Sequence, residues 1–225
     1  MKIKFYAHAS FRLEGDDLSV ITDPYTPGPE VSNFDPINEP ADIVIMSSAV
    51  DRFHSDPSHI TDEPTVINAM EIPPEGQMVK GLFIRSFPVQ ENLNWDYGRD
   101  PDDNAMYLFN IGGIRVLHIG DIGNAFADAH LEALADQVDL MFALTGDNST
   151  IGLDDLQMAI DAIQPQVIIP MHYDVPRGKL NILPVTAFTD RHAASDITWV
   201  NGSELTITPE SLPKKRHIYV LEQCR

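Results

Sequence analysis

A helix held between two short apolar runs constrains this chain most. Over Leu153–Ile163 the side chains of Leu153, Leu156, Ala159, Ile160 and Ile163 recur at helical spacing and share one face. Pro165 then stops the helix. The flanking runs, Leu140–Leu144 and 167–170, are short and uniformly apolar, as buried strands are. The result is a β-α-β unit. The first third of the chain reads differently, with residues 2–7, 10–14 and 18–22 alternating or running apolar around Gly15-Asp16-Asp17. Strands dominate early and β-α-β alternation follows. Two mixed sheets packed face to face, with helices outside, satisfy both halves.

Further strands are expected at 43–47, Thr65–Asn68 and Leu82–Val89, and a hairpin over 104–111 and 114–119 turns at Gly112-Gly113. Residues 126–137 have helical spacing. Met158 and Met171 read as core filler. The stretch 92–104 is polar and rich in turn residues, as a loop over a site would be. No short internal repeat or long linker divides the chain, so residues 1–225 are expected to form one domain.

The 15 basic and 34 acidic side chains give a net charge of −19, which argues against a nucleic-acid partner. No apolar run reaches the roughly 18 residues that cross a bilayer, so no membrane is expected. The opening Met1-Lys2-Ile3-Lys4-Phe5-Tyr6 enters strand-like alternation without a signal-peptide core, which predicts a cytoplasmic location. The single Cys224 excludes an intrachain disulfide. There is no Gly-x-Ser-x-Gly elbow and no glycine-rich phosphate loop.

Four separated segments carry a resemblance. They are Phe5-Tyr6-Ala7-His8-Ala9-Ser10-Phe11, Ile21-Thr22-Asp23-Pro24-Tyr25, Leu117-His118-Ile119-Gly120-Asp121-Ile122-Gly123 and Ile168-Ile169-Pro170-Met171-His172-Tyr173. In order and spacing they resemble the metallo-β-lactamase superfamily, in its ascorbate-6-phosphate-lactonase-like branch of small metal-dependent hydrolases. The resemblance implies an αββα sandwich with a two-metal site on one edge. It carries over Asp121 and His172 as ligands and catalytic residues, and it puts Glu91 near the position of a later histidine ligand. The family's His-x-His-x-Asp-His turn falls at 43–53, and its four ligand positions are read here as Ser48, Val50, Arg52 and Phe53.

None of those four is a good zinc ligand, and Arg52 would bring a fixed positive charge, free to pair with Asp121 or a substrate anion. A catalytic zinc usually takes about three protein ligands and an open position. His54 is a rescue ligand in His54-Ser55-Asp56-Pro57-Ser58-His59, against the alternative that this segment starts a short helix capped by Ser55 or Asp56. His8, Asp23 and His118 are expected near the pocket, binding an anion or buttressing the site, with structural roles as the alternative for each. Asp121 could instead be only a helix cap.

Two readings follow. In the first, most of the dinuclear site is lost and the chain is a non-canonical or metal-free ligand-binding pseudo-hydrolase. In the second, it is a metal-dependent hydrolase of a small ester, lactone or phosphorylated substrate, with a single or relocated metal held by Asp121, His172, Glu91 and His54. The expected cofactor is none or one divalent metal (zinc, manganese or iron). The expected partner is a small molecule, with an anionic one allowed, and a homo-oligomer is left open.

Overall fold

The structure is a computed structural model that describes residues 1–91, 104–148, 150–178 and 180–225. Its strands are β1 (Lys2–Ala7), β2 (Ser10–Gly15), β3 (Leu18–Thr22), β4 (Ile43–Met46), β5 (Thr65–Asn68), β6 (Gln77–Val79), β7 (Leu82–Val89), β8 (Asn104–Ile111) and β9 (Ile114–His118). The helix α1 (Asp128–Leu134) follows, then β10 (Leu140–Leu144), α2 (Leu153–Ile163), β11 (Val167–Met171) and α3 (Thr186–Thr189). The chain closes with β12 (Ile197–Trp199), β13 (Glu204–Thr206) and β14 (His217–Val220).

The strands form two mixed sheets. A six-stranded sheet runs β13-β1-β2-β3-β4-β5, and an eight-stranded sheet runs β12-β14-β11-β10-β9-β8-β7-β6. The expected β-α-β unit is present: β10 and β11 pair in parallel through α2, and every residue of both strands is buried. Parallel strands covered on both faces carry continuous apolar runs for this reason. The β8–β9 hairpin turns at Gly112 and Gly113, both at positive φ, which glycine adopts without a Cβ penalty.

The sheets meet through aromatic rings. Phe5 stacks on Phe11 at 4.4 Å, and Phe11 of one sheet stacks on Phe142 of the other at 4.1 Å. The apolar face of α2 is buried, and the helix ends where Gln164 takes a left-handed conformation just before Pro165. Met171 is buried as expected, but Met158 is 68% exposed, because it lies off the α2 face that packs. The polar segment 92–103 lies outside the described residues.

The strands β6, β12 and β13, which the expectations left unplaced, are only three residues long. They lie in the outer parts of the two sheets. Short outer strands need little apolar surface, which leaves a weak pattern.

Candidate metal centre

Four loops converge at one edge of the sandwich. Each leaves a strand of the fold: the β1–β2 turn, the segment after β4, the segment after β9 and the segment after β11. Three of these strands, β4, β9 and β11, pair in parallel with a neighbour, and the crevice beyond their carboxyl ends is where open α/β sheets place ligands.

The β1–β2 turn is tight. It follows an irregularity in register between Phe5 and Ala7, and His8 takes φ +60°. His172 leaves β11 at φ +50°, and its N–H donates to the His8 carbonyl at 2.8 Å, joining the two turns. Non-glycine residues at positive φ are uncommon, and two side by side at a loop cluster mark a conformation that the surroundings impose. Gly120, at φ +60°, lets the chain turn after β9. A Cβ there would lie 2.4 Å from Asn104 Oδ1, and that same oxygen accepts the Asp121 N–H at 3.1 Å.

The segment after β4 is built around Asp51. Its carboxylate accepts the N–H groups of Phe53 (2.5 Å) and His54 (3.1 Å), an Asx-type turn that swings the chain inward. Val50 and Arg52 consequently face solvent, while Asp51 and His54 are buried. Farther along, Asp56 caps a short 3-10 helix by accepting the Ser58 N–H. The capping expectation therefore holds for Asp56, while His54 joins the site.

Five side chains meet here. His8, His54 and His172 form one group able to hold a metal ion, and Asp51, His54 and Asp121 form a second; within each group the candidate ligand atoms lie within 4.8 Å of one another. All five residues are buried. The ring of His8 lies 4.4 Å from that of His54 and 4.2 Å from that of His172. Asp121 reaches both other histidines, with Oδ2 3.3 Å from His54 Nε2 and Oδ1 3.7 Å from His172 Nε2.

The electrostatics are those of a cation site. Burial works against a charge on His54, but the carboxylates of Asp51, Asp121 and Asp23 outweigh it and push its pKa up to about 10. Burial holds His8 well below the usual histidine range, helped by the neighbouring His172 and His54. It also lowers His172, against the opposing pull of Asp121. The carboxylates thus favour positive charge at His54, while burial disfavours it at His8 and His172.

The donor set fits a metal. His8 Nε2, His54 Nδ1 and His172 Nδ1 are buried without a hydrogen-bond partner among the described residues. Buried polar atoms are rarely left so unless an ion or catalysis explains them. Imidazole with carboxylate and no thiolate suits zinc, manganese or iron.

Asp23 and His118 lie behind this cluster. Asp23 Oδ1 accepts the Ser47 N–H at 2.6 Å, and its other oxygen is 3.4 Å from His118 Nδ1. Burial pushes Asp23 up to about 7 and holds His118 down at about 3. The His118 ring is neutral: Nε2 donates to the Ala9 carbonyl at 2.9 Å, and Nδ1 accepts the Gly120 N–H at 3.1 Å.

Several expectations are corrected. Arg52 does not pair with Asp121; it is exposed and donates to the Glu30 carbonyl at 3.3 Å. The Asx turn at Asp51 points it outward. Glu91 is buried, yet it belongs to neither candidate metal group. Asp121 caps no helix, since α1 begins only at Asp128. The expectation of a degenerate site with too few ligands finds no support. It rested on Ser48, Val50, Arg52 and Phe53 and did not weigh Asp51, which lies in the buried cluster with His54. In His-x-His-x-Asp-His, a shift by one residue puts Asp51 at the aspartate and leaves Ser47, Ala49 and Arg52 at the histidines. His54, two residues on, and His8, from the first turn, both expected near the site, bring imidazoles into the cluster. Asp51 was missed, although Asp51-Arg52-Phe53-His54 itself is a readable Asx-turn pattern.

Among solved structures, a Thermotoga maritima protein described as a Zn-dependent hydrolase of the metallo-β-lactamase superfamily superposes with a TM-score of 0.76 at 28% identity, covering 99% of each chain. An isothiocyanate hydrolase from Delia radicum gut bacteria shares the fold, with a TM-score of 0.69 at 15% identity over 92% of this chain and 99% of that one. A metal-dependent hydrolase of Staphylococcus aureus (strain MRSA252) is 28% identical over 207 residues, 77% of this chain and 86% of that protein. A further metal-dependent hydrolase, from Carboxydothermus hydrogenoformans, is 27% identical over 199 residues, 77% of this chain and 85% of that protein. Residues 2–172 match the family model of the beta-lactamase superfamily domain. With two mixed sheets packed as a sandwich and that match over most of its length, the chain belongs to the metallo-β-lactamase superfamily.

Proposed function

We propose that the protein is a metal-dependent hydrolase of a small molecule, with a relocated ligand set of His8, Asp51, His54, Asp121 and His172. The observation that carries this reading is the convergence of three imidazoles and two carboxylates in one buried cluster, with His54 common to both groups. The relatives named as metal-dependent hydrolases support it. A metal-free pseudo-hydrolase is the weaker reading, because it leaves buried ring nitrogens of His8, His54 and His172 without a purpose.

A bound divalent cation would supply Lewis acidity, polarising a substrate oxygen and acidifying a water. The protein's own groups do the rest. Asp121 faces His54 and His172 with different oxygens, at 3.3 and 3.7 Å, and so sets a carboxylate between the two rings. Asp51 holds the turn that carries His54. Asp23 braces the same segment through the Ser47 N–H, and His118 joins the turn bearing His8 to the turn bearing Asp121. Outer groups of this kind orient ligands and tune their basicity.

Elemental analysis of the purified chain tests the reading. One or more zinc, manganese or iron per chain is expected. Removing the metal with a chelator should abolish ester hydrolysis, and adding it back should restore it. Absence of metal uptake, or chelator-resistant hydrolysis, would overturn it.

A further inference from the structure

Two successive backbone N–H groups in the turn after β9 are each held by a side chain. The Gly120 N–H donates to His118 Nδ1 at 3.1 Å, and the Asp121 N–H donates to Asn104 Oδ1 at 3.1 Å. The second bond bears directly on the site, because Asp121 is the residue whose carboxylate enters the cluster. Asn104 belongs to neither candidate metal group and is fully buried at the first position of β8.

The packing around that bond is close. The next residue of β8 is tied to the segment after β4, since the Ala105 N–H donates to the Ser47 carbonyl at 2.9 Å. Ser47 is in turn held by Asp23, whose carboxylate accepts its N–H at 2.6 Å. A Cβ on Gly120 would meet Asn104 Oδ1 at 2.4 Å, the Ala105 carbonyl oxygen at 2.7 Å and Ser47 Cβ at 2.9 Å. Asn104 Oδ1 therefore sits directly against the turn, with Ala105 and Ser47 packed beside it.

A bond to the main chain of a ligand acts on that ligand's direction. The peptide unit is planar, so holding the Asp121 N–H orients the whole Gly120–Asp121 plane and the side chain that follows it. That orientation puts Oδ2 3.3 Å from His54 Nε2 and Oδ1 3.7 Å from His172 Nε2. Glycine at φ +60° gives the turn no stiffness of its own, so the turn takes its stiffness from the side chains that grip it. An amide oxygen does this without charge and adds no further carboxylate beside Asp51 and Asp121.

We propose that Asn104 is a positioning residue of the metal centre: its side-chain oxygen holds the Asp121 main chain so that one carboxylate faces His54 and His172 together. The proposal rests on the metal-dependent reading above and gives a role to a residue outside both ligand groups.

The test reads metal binding rather than turnover. Zinc is titrated into the metal-depleted full chain against a chromophoric chelator, and cobalt replaces zinc for visible absorption spectra. Asn104→Leu, close in shape but without an acceptor, should bind zinc about 10–100-fold more weakly, as loss of an outer partner does, and should alter the cobalt bands. Asn104→Asp, which restores an oxygen at the same place, should bind zinc at least as tightly as the wild type. Ile160→Val, a core change on the buried face of α2, should leave zinc affinity unchanged, which separates positioning from general loosening. Should Asn104→Leu not fold, Asn104→Ser, too short to reach the Asp121 N–H, should show the same weakening. Full zinc affinity in Asn104→Leu or Asn104→Ser, or a weakening in Asn104→Asp equal to that in Asn104→Leu, overturns the proposal and leaves the metal centre standing. A wild-type chain that takes up no zinc, manganese or iron overturns the metal-dependent reading itself, and the proposal with it.

Discussion

Two histidine–carboxylate arrangements lie buried side by side in this protein, and they have opposite characters. At His118, both ring nitrogens are used by the protein: one donates to the Ala9 carbonyl and the other accepts the Gly120 N–H. Its charge is refused, with a pKa held at about 3. At His54, neither ring nitrogen has a hydrogen-bond partner of good geometry, yet charge is invited, with a pKa pushed up to about 10 by surrounding carboxylates. Burial is complete at both, so burial does not separate a structural histidine from a ligand. What separates them is whether backbone groups already use the imidazole and how many carboxylates face it.

The largest test of this contrast is His54→Ala. Because His54 belongs to both candidate groups, metal affinity should fall by more than the ~10–100-fold typical of an outer partner, as measured by elemental analysis after dialysis. Retained metal would erase the distinction. Next comes Gly120→Ala, whose Cβ would collide with Asn104 Oδ1 and displace Asp121. A misplacement of about 1 Å at a reacting centre costs about 100-fold in rate, and kcat measured with metal in excess checks it.

His118→Ala should behave in the reverse way, keeping its metal while losing about 2–4 kcal/mol of stability in denaturant titration, from an orphaned Ala9 carbonyl and a cavity. The gap should depend on pH with a definite sign. The unfolded histidine takes up a proton near its ordinary 6.5, whereas the folded one resists until about 3. The wild-type contribution is therefore whole above 6.5 and lost as pH falls toward 3, so the variant's deficit narrows in acid. Metal loss without destabilisation would reverse the two roles. Smallest of all, Arg52→Ala should change stability by no more than about 0.5 kcal/mol and leave metal content unchanged, since its side chain is exposed and only meets a carbonyl.

Most of the fold could be read because its elements carry strong periodic patterns. The segments β1, β3, β5, β7 and β8 match the expected ranges at both ends, as does α2, and β2, β4, β9 and β11 agree to within one residue. The site was less legible for two reasons. Asp51 and His54 act through a turn geometry, and a motif template counts positions rather than the direction in which side chains emerge. The template reading settled on Arg52, an outward residue, and passed over its inward neighbour Asp51. His8 was expected near the pocket only through the resemblance, since its contact with His172 is a tertiary event that no local pattern announces.

The donors are also divided between the two sheets. His8, Asp51 and His54 hang from strands β1, β2 and β4 of the six-stranded sheet, whereas Asp121 and His172 follow β9 and β11 of the eight-stranded one. The backbone repeats this division, with the Ala105 N–H donating to the Ser47 carbonyl and the His172 N–H to that of His8. A cation held there would act as a rivet through both leaves. Sliding one sheet over the other would break it, and drawing it out would loosen the two leaves at that edge together.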